Sequence, residues 1–249
     1  MKQTLDCIMD IGEGMLVSGA EVNRVEDSVK RMCTAFGAVR TDVFIITSSM
    51  VVTIHTADGA IVTQTRRINS IGTNIDRLHR LNALSRDICA KRPTLDALRS
   101  RIAEILSDKP YPFIVELFAC AAIVGAFTLF FGGGIAEALV SFVVGILVKL
   151  LSRLTDMMLM NKMFAKFICT FLASAVAYGA VKLSIIPSID MVLIGNIMSL
   201  IPGIGFTNAL RDLFIGDSIA GALRLFEALL GAVSIAAGYF LFVCTLGRF

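Results

Sequence analysis

Residues 196–227 read NIMSLIPGIGFTNALRDLFIGDSIAGALRLFE. The stretch begins as an apolar span, is interrupted by Pro202, Gly203 and Gly205, and then sets Asn208, Arg211, Asp212, Asp217, Arg224 and Glu227 beside sequence of membrane length. Proline removes a backbone donor and clashes with the carbonyl four residues back, so in lipid the freed groups need partners from neighbouring helices, side chains or water. Ionisable groups at such a depth face a bundle interior or a wet path, and they point to a transport site rather than a plain anchor.

Composition outward from this stretch agrees. Of 249 residues, 56% are hydrophobic, and the mean hydropathy of +0.78 is that of a membrane protein. Charge is uneven: residues 1–112 hold 15 Lys/Arg and 13 Asp/Glu, whereas 113–249 hold 8 and 7. The chain therefore divides into a polar region, 1–110, and a membrane region, 111–249. A net charge of +3, with no basic run interleaved with aromatics, is too small to argue for nucleic acid, and no nucleic-acid partner is expected. Cys7, Cys33, Cys89, Cys120, Cys169 and Cys244 are scattered without a CxxC or metal-ligand spacing and read as reduced, mostly buried thiols. The first residues meet Asp6, Asp10 and Glu13 before any long apolar run, so no signal peptide is expected there.

In the polar region, apolar positions from Leu5 to Leu16 recur at helical spacing and predict an amphipathic helix over 4–17. Ser18 to Glu21 has capping-box spacing and predicts a second helix running to Gly37, a C′ glycine. Runs VRTDVFIIT, SMVVTIHT and AIVTQTRRI, the last two joined through Asp58-Gly59, predict a small antiparallel sheet. Helices are expected over about 73–89 and 94–106 around Pro93. His55 and His79 lie outside any triad spacing, and no phosphate-loop or metal motif occurs, so neither an enzyme nor a cofactor is expected.

In the membrane region, apolar runs predict spans at about 113–131, 135–151, 164–186, 190–209 and 218–246. The fold class is thus a polytopic α-helical membrane protein of about five transmembrane helices, preceded by a small cytoplasmic α+β domain. Arg99, Arg101 and Lys109 precede the first span, and Lys149, Arg153, Lys162 and Lys166 separate the second from the third. The opposite side carries FGGGIAE and, after span three, Lys182. This bias puts the polar domain in the cytoplasm and the C-terminus outside. Glu116, Glu137 and Asp190 sit near span ends, where a carboxylate either caps a helix or serves substrate or proton, and Asp156 reads as a solvated loop residue. An odd span count would invert a following homologous unit, as in transporters built from inverted repeats. One unit is visible here, so a complete pathway is expected to need self-association or a membrane partner.

A helix broken at Pro202-Gly203-Ile204-Gly205 would present carbonyls of its first half to cations and N–H groups of its second half to carboxylates, which suits a zwitterion. Asn196 and Ser199 come one turn apart just before the break, and Asn208 and Arg211 one turn apart just after it. Asp212 and Asp217 flank a turn at Gly216, and Arg224 and Glu227 are spaced to pair along one helix. Ordinary helix caps and one interfacial ion pair remain the plainer alternative.

Together LVSGAEVNRVEDSV at 16–29, TNIDRLHRLNALSR, TLFFGGG at 128–134 and SLIPGIGFTNALRDLFIGDSIAGALRLFEALL at 199–230 resemble the threonine/serine exporter family, in its N-terminal-domain form. The resemblance implies an inner-membrane secondary exporter of small hydroxy amino acids, coupled to protons, in which half-length members work with a separate smaller membrane subunit. Some such pairs are linked to dicarboxylate (succinate) export. By inference on the matching positions, Asn208 and Arg211 would meet the substrate carboxylate, and Asp212, Asp217 or Glu227 the amine or the coupling proton. A membrane-anchored enzyme and a non-transporting regulatory or scaffold subunit are the competing classes. The first requires a nucleophile–base pair in 1–110. The second requires that Arg211 and Asp217 be replaceable without loss of flux.

Overall fold

The computed structural model describes residues 1–69, 71–107 and 111–246, so Lys109 lies outside the described residues. The chain forms two compact units, Met1–Lys109 with Ile204–Leu225, and Pro110–Gly203 with Phe226–Phe249.

The first unit is built around α1 (Lys2–Val17). Leu5, Ile8, Met9, Ile11, Met15 and Leu16 are all fully buried, so α1 is a central helix rather than a surface amphipath. Its polar stripe of Asp6, Asp10 and Glu13 meets β3, where Gln64 donates to Asp6 at 2.7 Å and Arg66 to Asp10 at 3.1 Å. Helix α2 (Val22–Ala35) buries Val22, Val25, Val29 and Met32 on one face. It ends as expected at Gly37, whose φ of 92° is the left-handed conformation that glycine adopts without a Cβ penalty. The expected capping box does not form. Ser18 instead closes α1, and Glu21 occupies the N-cap position of α2 without a side-chain cap.

Strands β1 (Ala38–Ile46), β2 (Ser49–Thr56) and β3 (Ile61–Arg67) form the expected antiparallel meander in the order β1-β2-β3. Alternation in β2 turns Met50, Val52 and Ile54 into the core. Helices α3 (Ile75–Lys91) and α4 (Leu95–Leu106) complete this core through Leu81, Leu84, Ile88, Leu98 and Ile102. Residues 204–225 belong to the same unit, and Ala220 joins its core cluster.

The second unit contains α5 (Phe113–Phe130), α6 (Ile135–Met157), α7 (Lys162–Lys182), α8 (Asp190–Leu200) and most of α10 (Ser218–Thr245). Small residues set its contacts. Gly125 lies against the Ala138 carbonyl and Gly145 against Ala121 and Val124, making α5 and α6 an antiparallel hairpin. Gly238 of α10 lies against Phe167 and Thr170 of α7. The Thr128 hydroxyl donates to Ser141 at 2.6 Å inside this packing. Large apolar side chains such as Phe118, Leu139, Val143, Val233 and Phe240 face outward, as a lipid-facing surface requires.

Helices α5, α6, α7 and α10 are each long and apolar enough to cross a membrane, and α8 with α9 (Gly203–Ile215) makes a fifth span if that bent pair counts as one. The second span is longer than the apolar run suggested, since α6 continues through Lys149 and Arg153 to Met157. The fourth is not one helix. Ile201, forced toward extended backbone by the following proline, has ψ of 128° and stops α8. Gly203 opens α9, and Gly205 lies inside α9 rather than in the break.

Candidate functional site

The polar residues of 204–225 converge on the turn between α1 and α2. Gly19 makes that turn with φ of 95°, and an added Cβ would sit 2.9 Å from the Gly72 carbonyl oxygen. With no side chain there, the carbonyls of Gly19 and Ala20 are left to accept bonds from α9 and α10. Asn208 Nδ2 donates to the Gly19 carbonyl at 3.3 Å, and Arg224 Nη2 donates to the Ala20 carbonyl at 3.2 Å. Arg211 Nη1 meets Glu21 Oε1 at 2.7 Å.

Behind this contact lies an ion pair between Arg224 Nη1 and Asp212 Oδ2 at 3.0 Å, with side chains 8% and 0% exposed. A helical hairpin brings the two together. Gly216 takes φ of 103° after α9, the Asp217 amide donates to the Asp212 carbonyl at 2.9 Å, and α10 starts at Ser218. Gly221 lets the helices close, because a Cβ there would lie 2.8 Å from the Leu213 nitrogen. Four buried polar atoms in this region, Asp212 Oδ1, Asp217 Oδ2, Arg224 Nε and Ser18 Oγ, have no hydrogen-bond partner among the described residues. Two acceptors and a guanidinium donor can therefore take a proton, a water or a small polar ligand. Glu26 on α2 is nearby electrostatically. Burial pushes its carboxyl above the ordinary 4.5, and the charge of Asp217 adds to the shift.

Of the residues singled out in the sequence, Asn208, Arg211, Asp212, Asp217 and Arg224 gather in this one unit. The expected Arg224–Glu227 pair gives way to Arg224–Asp212, and Glu227 is exposed. Asn196 and Ser199 belong to the second unit. Asn196 is buried, its Nδ2 donates to the Val192 carbonyl at 2.8 Å, and its Oδ1 has no partner among the described residues. Ser199 donates to the Asn196 carbonyl at 2.7 Å. Pro202 and Gly203 stand at the break.

Sequence reasoning did not find Ser18, Glu21 or the carbonyls of Gly19 and Ala20 as parts of this site. Capping spacing explained Ser18 and Glu21 locally, whereas Arg211, the partner of Glu21, lies 190 residues away. Among the described residues no three His, Cys, Asp or Glu side chains converge as metal ligands. The cysteines are free, with Cys7, Cys33 and Cys169 buried, and burial lifts the Cys33 thiol to about 12.

Long apolar helices, one of them broken at a proline, and a buried ion pair on flanking sequence define a polytopic membrane protein of the transporter class. The chain matches the family described as "Putative threonine/serine exporter" (ThrE) over residues 6–247, and it belongs to that family, one of transporters and not of enzymes. It is similar to a protein named "Threonine/serine exporter" of Corynebacterium glutamicum, at 25% identity over 238 residues, which cover 92% of this chain and 48% of that protein. The chain thus spans about half the length of the curated relative it matches. No solved structure matches it.

Proposed function

We propose that this chain is one half of a proton-coupled secondary exporter of small hydroxy amino acids, threonine or serine, and that it works in the inner membrane with a separate smaller membrane subunit. The observation that carries this reading is the buried Asp212–Arg224 pair with an unpartnered oxygen on each of Asp212 and Asp217. A buried carboxylate oxygen without a donor is a place for a proton, and protonation of Asp212 weakens its hold on Arg224. Arg224 also grips the Ala20 carbonyl. Proton uptake would therefore loosen the contact between the α9–α10 hairpin and the α1–α2 turn. Such a contact, made or broken by one proton, is the two-state element that coupled export needs. The charge bias of the loops supports a cytoplasmic polar domain, 1–110, and a membrane domain over 111–249 with its C-terminus outside.

The test is efflux of preloaded threonine, serine and succinate from vesicles holding this chain and its membrane partner, with and without a proton gradient. Gradient-dependent efflux of threonine or serine that Asp217→Asn abolishes in an assembled pair supports the reading. Efflux indifferent to both the gradient and Asp217 overturns it.

A specific observation also favours the regulatory reading. Asn208, Arg211 and Arg224 are already engaged by Gly19, Glu21 and Ala20. Residues so committed couple the broken-helix region to the N-terminal helices instead of meeting substrate directly. Under that reading the exporter carrying Arg211→Gln keeps its flux and its KM, whereas loss of a substrate contact raises KM.

A further inference from the structure

A charged cavity lies in the second unit, at the start of α5 and the last turns of α6. It has a volume of about 420 Å³ and is lined by Phe113, Glu116, Lys149, Ser152, Arg153 and Asp156. That size falls in the range of small-molecule sites. Two cations and two carboxylates line this one cavity at the edge of apolar spans. Glu116 and Lys149 hold each other at 2.9 Å across the two helices. Arg153 holds its guanidinium carbon over the Phe113 ring, 4.0 Å from the centroid, a cation–π contact that positions the charge beside the cavity. Among the described residues, neither Arg153 nor Asp156 forms an ion pair. The cavity thus offers one fixed pair, one oriented cation and one uncommitted carboxylate.

We propose that this cavity binds a small zwitterion, its anionic group on the Arg153 guanidinium and its ammonium on Asp156, with the Glu116–Lys149 pair holding the two helices in register. The charge balance selects the ligand class. A zwitterion leaves the lining neutral, whereas a dicarboxylate would bring two negative charges to a cavity that already holds two. The Ser152 hydroxyl is a further donor and acceptor for a hydroxyl-bearing ligand. Ammonium and anion together occur in a free amino acid and in a phosphatidylethanolamine headgroup, and the site fits that shared chemistry. As a loading site for exported substrate, it rests on the exporter reading; as a binding site, it does not.

The test uses the full chain in nanodiscs of phosphatidylglycerol alone, with radiolabelled threonine as probe. Wild type is compared with Arg153→Gln and Asp156→Asn, both exposed positions near a helix end and outside the fixed pair, with monodisperse elution confirming the fold. Each substitution is expected to weaken threonine binding by about tenfold or more, as loss of a charge-assisted bond does, and excess succinate is expected not to compete. A second arm adds phosphatidylethanolamine and reads retained lipid by native mass spectrometry. Retention by wild type that both variants lose supports the same site with the headgroup as occupant. Threonine binding and lipid retention that are both indifferent to the two substitutions overturn the proposal, as does succinate competing as well as unlabelled threonine. Flux separates the two readings. Efflux from the pair with substitution-independent binding sinks only this site, and substitution-sensitive binding without efflux sinks only the exporter reading.

Discussion

At Asp212 the chain buries a carboxylate completely and gives it a single guanidinium. Removing one member of a buried pair costs roughly 3–5 kcal/mol, because the other charge stays buried without compensation. Asp212→Asn and Arg224→Met are each expected to lower the melting temperature of the detergent-solubilised chain strongly. The double substitution is expected to lower it by less than their sum, which a double-mutant cycle measures directly. Additive losses would show that the pair is not coupled. Glu26 gives a pH signature. Burial raises its carboxyl above the usual value, so the folded state binds the proton more tightly than the unfolded chain. Its burial cost is therefore present at neutral pH and relieved as pH falls through the raised value toward 4.5. Glu26→Gln keeps an acceptor for the Ile45 amide, which Glu26 binds at 3.2 Å. The variant is expected to show a smaller rise in melting temperature between pH 7 and 4.5 than wild type, with Asp10, also raised by burial, supplying the remainder.

Elements were legible to different depths. Meander, the helix end at Gly37, the hairpin turn at Gly59, and the apolar spans followed from alternation, turn residues and run length, which are local signals. Three features were not local. Apolar periodicity in α1 predicts one buried face, yet the helix is covered on nearly all sides by α2, α3, α4 and the sheet, which its own residues do not specify. The run 190–209 reads as one span, but Asn208, Arg211 and Arg224 find partners in the α1–α2 turn, and α9 belongs to the first unit. The break itself was visible in Pro202, whereas Gly205 was indistinguishable from a second breaker until Gly203 was seen to start the helix. Packing of α8 on α5 is equally hidden in sequence and equally testable. Gly195 lies so close to the Thr128 hydroxyl that an added Cβ would overlap it, and it would stand 3.0 Å from the Val124 carbonyl oxygen. Gly195→Ala is expected to cost about 1–3 kcal/mol by overpacking. Thr128→Ala should recover part of that loss but not all, since backbone atoms remain in the way. Full recovery, or no loss, in thermal unfolding would contradict the close approach.

On the scale of the whole molecule, the chain leaves its second unit at Gly203, passes through 204–225 in the first, and returns along α10 at Phe226. A single helix, Ser218–Thr245, thus begins beside the α1–α2 turn and continues with apolar sequence of membrane length. The chain thus crosses between the two units at two points besides the link before α5. Sidedness is the premise to test first. Basic residues cluster before α5 and between α6 and α7, so the polar unit is expected inside and the end of α7 outside. Cys89 is exposed on the first unit, and Leu183, at 74% exposure, follows α7. In a background where the other cysteines are replaced, a membrane-impermeant maleimide applied to intact cells is expected to label Leu183→Cys and to spare Cys89 until the cells are opened. Labelling of Cys89 in intact cells would invert the chain, place the Asp212–Arg224 pair on the side of higher proton activity, and reverse the order in which proton uptake and substrate release follow one another.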